Sequence, residues 1–416
     1  MDRIWKIAIA LIVLMMVASA SLGVGVVIGG SGLLPFWGAA SAQEPDEFAV
    51  FWQAWDIVHK NFVDRAALEP TILTYGAIRG MVEALGDDGH TAFLTPEEIE
   101  RQRSDLAGTF TGIGAQLGVR DALPVIIAPF DGSPAYEAGI KAGDIIMKVD
   151  GEDVTTMPLN DIVARIRGPE GTVVVLSLLR PDENRSLEVS ITRGEIKIPA
   201  ASWAMIPGTE VALIRLSQFS ANALDDVKES IEGARAAEAE ALIVDVRNNP
   251  GGLLEQAIGV TSQFLSDGDV LLEEDASGAR KAYPVERGGA ATDLPLVVLI
   301  NAGSASSAEI FAGAIEDHER GHVVGETTFG TGTVLQPYPL RDGSALLLGT
   351  KQWLTPKGRL IRKQGIGPDV EVILPIEADL LTPLELESMS VQDLLESEDA
   401  QLLKALELLG RLPSRE

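Results

Sequence analysis

The sequence contains no cysteine. Disulfides, thiolate metal sites and a cysteine nucleophile are thereby excluded. Histidine is scarce: His59, His90, His318 and His322 are the four. No HExxH pair occurs, so a histidine-based metal site is not expected, and no cofactor is expected either. Basic residues are outnumbered, 33 against 61 acidic, and the formal charge is −28. Phosphate recognition needs a basic footprint, so nucleic acid is not an expected partner. The acidity reads as a solubility device. Aromatic residues make up only 5%, yet hydrophobic residues reach 46% of 416 positions. That is ample for a real core and for two or three domains.

Lysine and arginine are also missing between Lys6 and Lys60. Within that gap, residues 7–28 carry no charge at all. The run is long enough to span a bilayer, and Arg3 and Lys6 mark its cytoplasmic flank. Residues 1–43 therefore read as a retained membrane anchor with its linker. A cleaved signal, with Ala40–Ala42 as the cleavage site, is the other reading. Either one places the bulk on the extracytoplasmic side, membrane-attached or secreted.

Beyond the anchor the texture changes in blocks. Residues 44–106 have helical periodicity, and "FWQAWDIVHKNF" reads as core. Residues 107–194 form a β-rich module of short strands between glycine turns, with one helix at "PLNDIVARIRG". Residues 195–375 alternate strands and helices. Continuous apolar strands such as "ALIVDV" and "LPLVVLI" imply a mostly parallel sheet covered on both faces. Residues 376–416 read as an acidic amphipathic helix that packs on the core or on a partner subunit. The terminal helices are candidate homodimer elements.

Ligands of open α/β sheets bind beyond the carboxyl ends of strands. Two loops leave strands there and enter helices: "RNNPGG" at 247–252 and "NAGSAS" at 301–306. Taken singly, a serine before a helix is an N-cap and Asn-Pro-Gly-Gly is a tight turn. Taken together, a hydroxyl facing backbone donors fits acyl transfer. In the β module, Gly112, Ile113 and Gly114 precede a strand. They could form a nest for a peptide's terminal carboxylate, with the strand edge pairing the peptide, or simply a glycine turn.

At these residues the chain resembles the carboxyl-terminal processing peptidases, or tail-specific proteases. "ALIVDVRNNPGGLLEQA" and "NAGSASSAEIFAGAIED" are similar to the two most specific motifs of that family. "GSPAYEAGIKAGDIIMKVDGEDV" is similar to its PDZ domain, and "ALGDDGHTAFLTPEE" resembles its N-terminal element. The resemblance covers about residues 45–375. It implies an α/β serine peptidase core with an inserted PDZ domain and an N-terminal helical region. The implied substrates are proteins or peptides with free C-termini. Ser306 falls on the nucleophile, with Ser304 and Ser307 as loop residues. The backbone of Gly251 and Gly252 falls on the oxyanion hole.

The family's general base is a lysine twenty-five residues after the serine. Thr331 stands there instead, and a hydroxyl has no basic form near neutral pH that matches a lysine with a lowered pKa. Other bases can be weighed. His318 follows Ser306 by twelve residues, about 18 Å along one helix. His322 starts the next strand. His90 lies in the N-terminal region. Lys351, on a later strand, is a candidate substitute base. Two functions follow: an exported serine endopeptidase whose base is relocated or substituted, or an inactive homologue that binds C-termini without cutting.

Overall fold

A computed structural model describes residues 46–87, 91–120, 123–130, 132–183, 185–375 and 378–414. The expected anchor at 7–28 lies outside these residues. Among the described residues no helix is long and apolar enough to cross a membrane. The chain divides into two units, 1–77 and 78–416.

In the first unit, α1 (Phe48–Asn61) carries the aromatic cluster expected to be core. None of its residues is buried, and Trp52 is 48% exposed. The aromatics instead contact one another along the helix, Phe51 and Trp52 edge-to-face at 5.1 Å. Helical periodicity found the apolar face but not whether anything covers it. α2 (Pro70–Glu83) follows, and the division at 77/78 falls within it.

In the second unit, β1 (Ala92–Leu94) leads into α3 (Pro96–Ala107), which starts with a Thr95–Glu98 capping box and Pro96. That first turn was legible from "LTPEEIE". A ribbon of β2 (Thr109–Gly112) and β9 (Gly194–Lys197) brackets the PDZ module, so the chain enters and leaves it side by side. Inside are β3 (Ala115–Arg120), β4 (Leu123–Pro129), the short α4 (Pro134–Glu137), β5 (Ile145–Val149), β6 (Glu152–Asp153), α5 (Leu159–Ile166), β7 (Val173–Arg180) and β8 (Arg185–Thr192). Its sheet runs β3-β4-β5-β7-β8, with β6 on β5. Ile126, Ile146, Leu176 and Leu178 pack beneath Ile162 and Ile166 of α5.

The α/β block after this module has β10 (Ala201–Met205), β11 (Val211–Leu216), α6 (Ala223–Ala236), β12 (Ala241–Asp245), α7 (Leu254–Thr261), β13 (Asp269–Glu274), β14 (Arg280–Pro284), β15 (Leu296–Ile300), α8 (Ser307–Asp317), β16 (His322–Gly325), β17 (Thr333–Pro339), β18 (Ala345–Leu354) and β19 (Val370–Glu371). The main sheet runs β10-β11-β12-β15-β16-β19. Every neighbouring pair is parallel except β10 with β11. Successive residues of these strands point to opposite faces. Ile214, Val244 and Val298 go to the side of Ala223, Ala257 and Phe311 on α6, α7 and α8. Leu213, Ile243 and Leu299 go to the other side. Two-sided burial is why these strands read as unbroken apolar runs.

The second face is covered by the tail. α9 (Pro383–Leu386), α10 (Val391–Leu395) and α11 (Ala400–Leu408) deliver Leu386, Leu394, Leu402 and Leu406 to it. The tail is not one helix, as its amphipathic pattern suggested. It breaks at Asp399, whose carboxylate caps α11 by accepting from Leu402 N–H at 3.0 Å. A second, antiparallel sheet runs β1-β18-β13-β14, with β17 also on β18.

Candidate active site

Both candidate loops leave the carboxyl ends of neighbouring parallel strands, β12 and β15. Hydrogen bonds lace them together. Ser304 Oγ donates to Val246 O at 2.8 Å and accepts from Asn301 N–H at 3.1 Å. Ala305 N–H donates to Asn249 O at 2.9 Å. Asn301 Oδ1 accepts from Asn248 N–H at 2.8 Å. Ser307 Oγ donates to Gly252 O at 3.1 Å. Ser304 and Ser307 are buried and spent on loop shape.

Ser306 differs from both. It sits immediately before α8 with φ 54° and ψ −113°. A side chain in so sparse a region costs on the order of 1–3 kcal/mol and persists only where the surroundings enforce it. Gly251, at φ 95°, lies so close that an added Cβ would stand 2.6 Å from Ser306 Cβ. Only glycine admits both that φ and that approach. Gly251 N–H donates to Asn249 Oδ1 at 2.8 Å. An added Cβ on Gly252 would come 2.2 Å from Phe219 O.

Beneath Ser306 lies Glu309, with no exposed surface. Its carboxylate accepts from Ser306 N–H at 2.8 Å, Thr331 N–H at 2.9 Å, Gly330 N–H at 2.6 Å and the Thr328 hydroxyl at 2.6 Å. Burial raises its pKa above the ordinary carboxylate value, and the four donors pull against that rise. Phe329 N–H adds a bond to Ser304 O at 3.0 Å. The segment carrying Thr331 is thus strapped to the serine loop. The Ser-x-x-Glu spacing of 306 and 309 was the available sequence signal for Glu309.

Ser306 and Glu309 form a capping box at the start of α8, and among the described residues no basic side chain is hydrogen-bonded to the Ser306 hydroxyl. Thr331 is buried beside it through the shared carboxylate, but brings no amine. Lys351 pairs with Val334 across β17 and β18, and its ammonium is bound by the Glu273 carboxylate. That bond raises its pKa, which is the wrong direction for a base. His318 contacts Asp269 O at 2.8 Å at the far end of α8, and His322 pairs with Val297 at the opposite end of β15. Lys363 Nζ donates to Gly86 O at 2.9 Å. His90 lies outside the described residues. Asp87, before it, binds Arg362, and Thr91, after it, accepts from Gly349 N–H at 3.0 Å. No cluster able to hold a metal occurs among the described residues.

In the PDZ module, Gly112 pairs with Gly194, Ile113 is buried and Gly114 turns the chain at φ 73°. Ile113 O accepts from Ala135 N–H at 2.7 Å and Gly114 O from Ser133 Oγ at 2.7 Å. The glycine turn is therefore pinned to the start of α4.

Residues 210–372 match peptidase family S41, and residues 125–180 match the PDZ domain. A carboxyl-terminal-processing protease of Synechocystis sp. is 35% identical over 350 residues, 82% of this chain and 81% of that one. The chain belongs to the carboxyl-terminal-processing proteases. Within that family, a carboxy-terminal-processing protease of Bartonella bacilliformis is also 35% identical, over 73% of this chain and 70% of its own. Among solved structures, a photosystem II D1 C-terminal processing protease is 29% identical, with a TM-score of 0.45 over 80% of this chain and 95% of that one. The serine peptidase fold with its PDZ domain is thus the architecture of this protein.

Proposed function

We propose that the protein is an exported serine endopeptidase that takes protein C-termini on its PDZ module and cleaves at Ser306. The observation that carries this reading is the backbone of Ser306. A serine is held at φ 54° between Gly251 and Glu309, where a mere helix cap would need no strain. Ser306 Oγ attacks the scissile carbonyl, the serine proton ends on the departing amine as the C–N bond breaks, and water then hydrolyses the Ser306 ester to release the acid and restore the hydroxyl. Backbone N–H groups at Gly251 and Gly252 hold the oxyanion, with Gly251 exchanging its bond to Asn249 for a charge-assisted one. The run 7–28 exports the chain and tethers it to the membrane. The tail pairs along the edge of β3, its carboxylate at Gly112, Ile113 and Gly114.

A second reading is favoured by a specific observation. No basic side chain among the described residues is hydrogen-bonded to Ser306 Oγ, and Thr331 supplies no base. On that reading the protein holds C-termini without cutting. Incubation with an unstructured protein ending in apolar residues separates the two. Fragments that disappear in Ser306→Ala support the peptidase. Tail binding with no fragments supports the second reading. In an active enzyme, loss in His90→Ala alone identifies the group that takes the serine proton.

A further inference from the structure

Arg247 opens the loop that faces Ser306, and it has no exposed surface. A lone guanidinium there would be an uncompensated buried charge, which is strongly destabilising. Its five N–H donors are all taken. Nε and Nη2 grip Asp245 Oδ1 and Oδ2 at 2.9 and 2.8 Å. Nη1 and Nη2 grip Asp399 Oδ1 and Oδ2 at 2.7 and 2.9 Å. The remaining Nη1 hydrogen goes to Gln401 Oε1 at 3.1 Å. Two planar carboxylates on two edges of one planar cation fix its orientation as well as its charge. Asp245 belongs to β12, but Asp399 and Gln401 belong to the tail, more than 150 residues away in sequence.

We propose that Asp399 is a positioning residue of the peptidase site, acting through Arg247 on the loop 248–252. The chain of contacts is short. Arg247 is followed by Asn248, bonded to Asn301, and by Asn249, which holds Gly251 N–H with its side chain and Ala305 N–H with its carbonyl. Ala305 precedes Ser306. With its second carboxylate gone, Arg247 is held on one edge only, and the loop that should hold the oxyanion loses its fixed end. Asp245 also binds Arg215 at 3.2 Å, so without Asp399 the cluster has two cations for one anion. The tail is then a component of the active site as well as a cover for the sheet. The inference rests on the peptidase reading for its kinetic consequence, but not for its structural one.

The test compares Asp399→Asn with Leu402→Ala in the full chain. Leu402 is buried in the same tail helix, and its apolar side chain belongs to the core on the tail-covered face and makes no hydrogen bond, so its truncation loosens the tail by packing alone. Amide exchange at Gly251 and Ala305 is the first readout, and kcat with KM on a peptide substrate the second. In Asp399→Asn, exchange at both amides should rise about tenfold or more, and kcat should fall by a similar factor with KM unchanged. Leu402→Ala should lower the melting temperature and leave that exchange at the wild-type rate. Wild-type exchange in Asp399→Asn overturns the proposal, as does an equal rise in Leu402→Ala. If the wild type cleaves nothing, the peptidase reading fails by itself and exchange alone decides the role of Asp399.

Discussion

The backbone N–H groups of Ser306 and Thr331 converge on a single oxygen, Oε2 of Glu309, at 2.8 and 2.9 Å. Ser306 and Thr331 are therefore held in one frame by a single buried carboxylate.

That frame gives the first prediction. Thr331→Lys should place an amine beside Ser306, in surroundings dry enough to lower its pKa. General bases contribute roughly 10²–10⁴-fold. Peptide cleavage should rise by about 100-fold or more, measured as kcat/KM at neutral pH. An unchanged rate would mean that position 331 does not face the serine hydroxyl. Lys351→Ala should leave the rate unaltered, because Lys351 is held protonated by Glu273.

Glu309 gives a prediction in pH. Its pKa is raised in the folded protein by burial, so the folded chain binds that proton more tightly than the unfolded chain does. The corresponding stability is fully present below the unfolded glutamate pKa and is lost as pH rises through the raised folded value. Glu309→Gln should lack this loss. The difference between the two unfolding free-energy profiles across mildly acidic pH isolates it. Parallel profiles would show that the folded pKa is not raised. Glu309→Ala is a harsher change. It leaves three backbone N–H groups without their acceptor, at about 1–3 kcal/mol each, and should lower the melting point sharply.

Gly251→Ala should abolish cleavage while leaving a folded protein. The new Cβ would meet Ser306 Cβ at 2.6 Å and Ala305 O at 2.8 Å, at a φ that disfavours any side chain. Displacement of the serine by about 1 Å costs about 100-fold. Retained kcat with an unaltered circular dichroism spectrum would remove Gly251 from the site.

In the PDZ module, Gly114→Ala should weaken tail binding without slowing reaction of Ser306 with a small probe. The added carbon would stand 2.4 Å from Ser133 Cβ, at φ 73°. Fluorescence anisotropy with a labelled peptide tail measures the first effect. Unchanged affinity would place the carboxylate elsewhere than the Gly112–Gly114 turn.

The sequence was most informative where one element decides its own pattern. Unbroken apolar runs marked β11, β12 and β15, because both their faces are covered. Pairings remote in sequence left less trace. The hairpin of β13 and β14 was missed: its second strand, "RKAYP", is mostly exposed and carries no alternation. Glu309 was not singled out by its place in the sequence. Its acceptor role depends on three residues of the loop between β16 and β17, Thr328, Gly330 and Thr331. Asp399 read as one acid among many in an acidic tail, and only the fold brings it to Arg247. The aromatic face of α1 was found, but its exposure was not, since periodicity is blind to what lies opposite.

The central claim is that Ser306 is an activated nucleophile. The direct measurement is incubation of the full chain with a fluorophosphonate probe, followed by peptide mass mapping. The account predicts a single phosphonylated residue, Ser306, formed at a rate that Asp399→Asn slows and Ser306→Ala abolishes. An unlabelled Ser306, in a protein that still binds peptide tails, would contradict it and leave the chain a binder of C-termini.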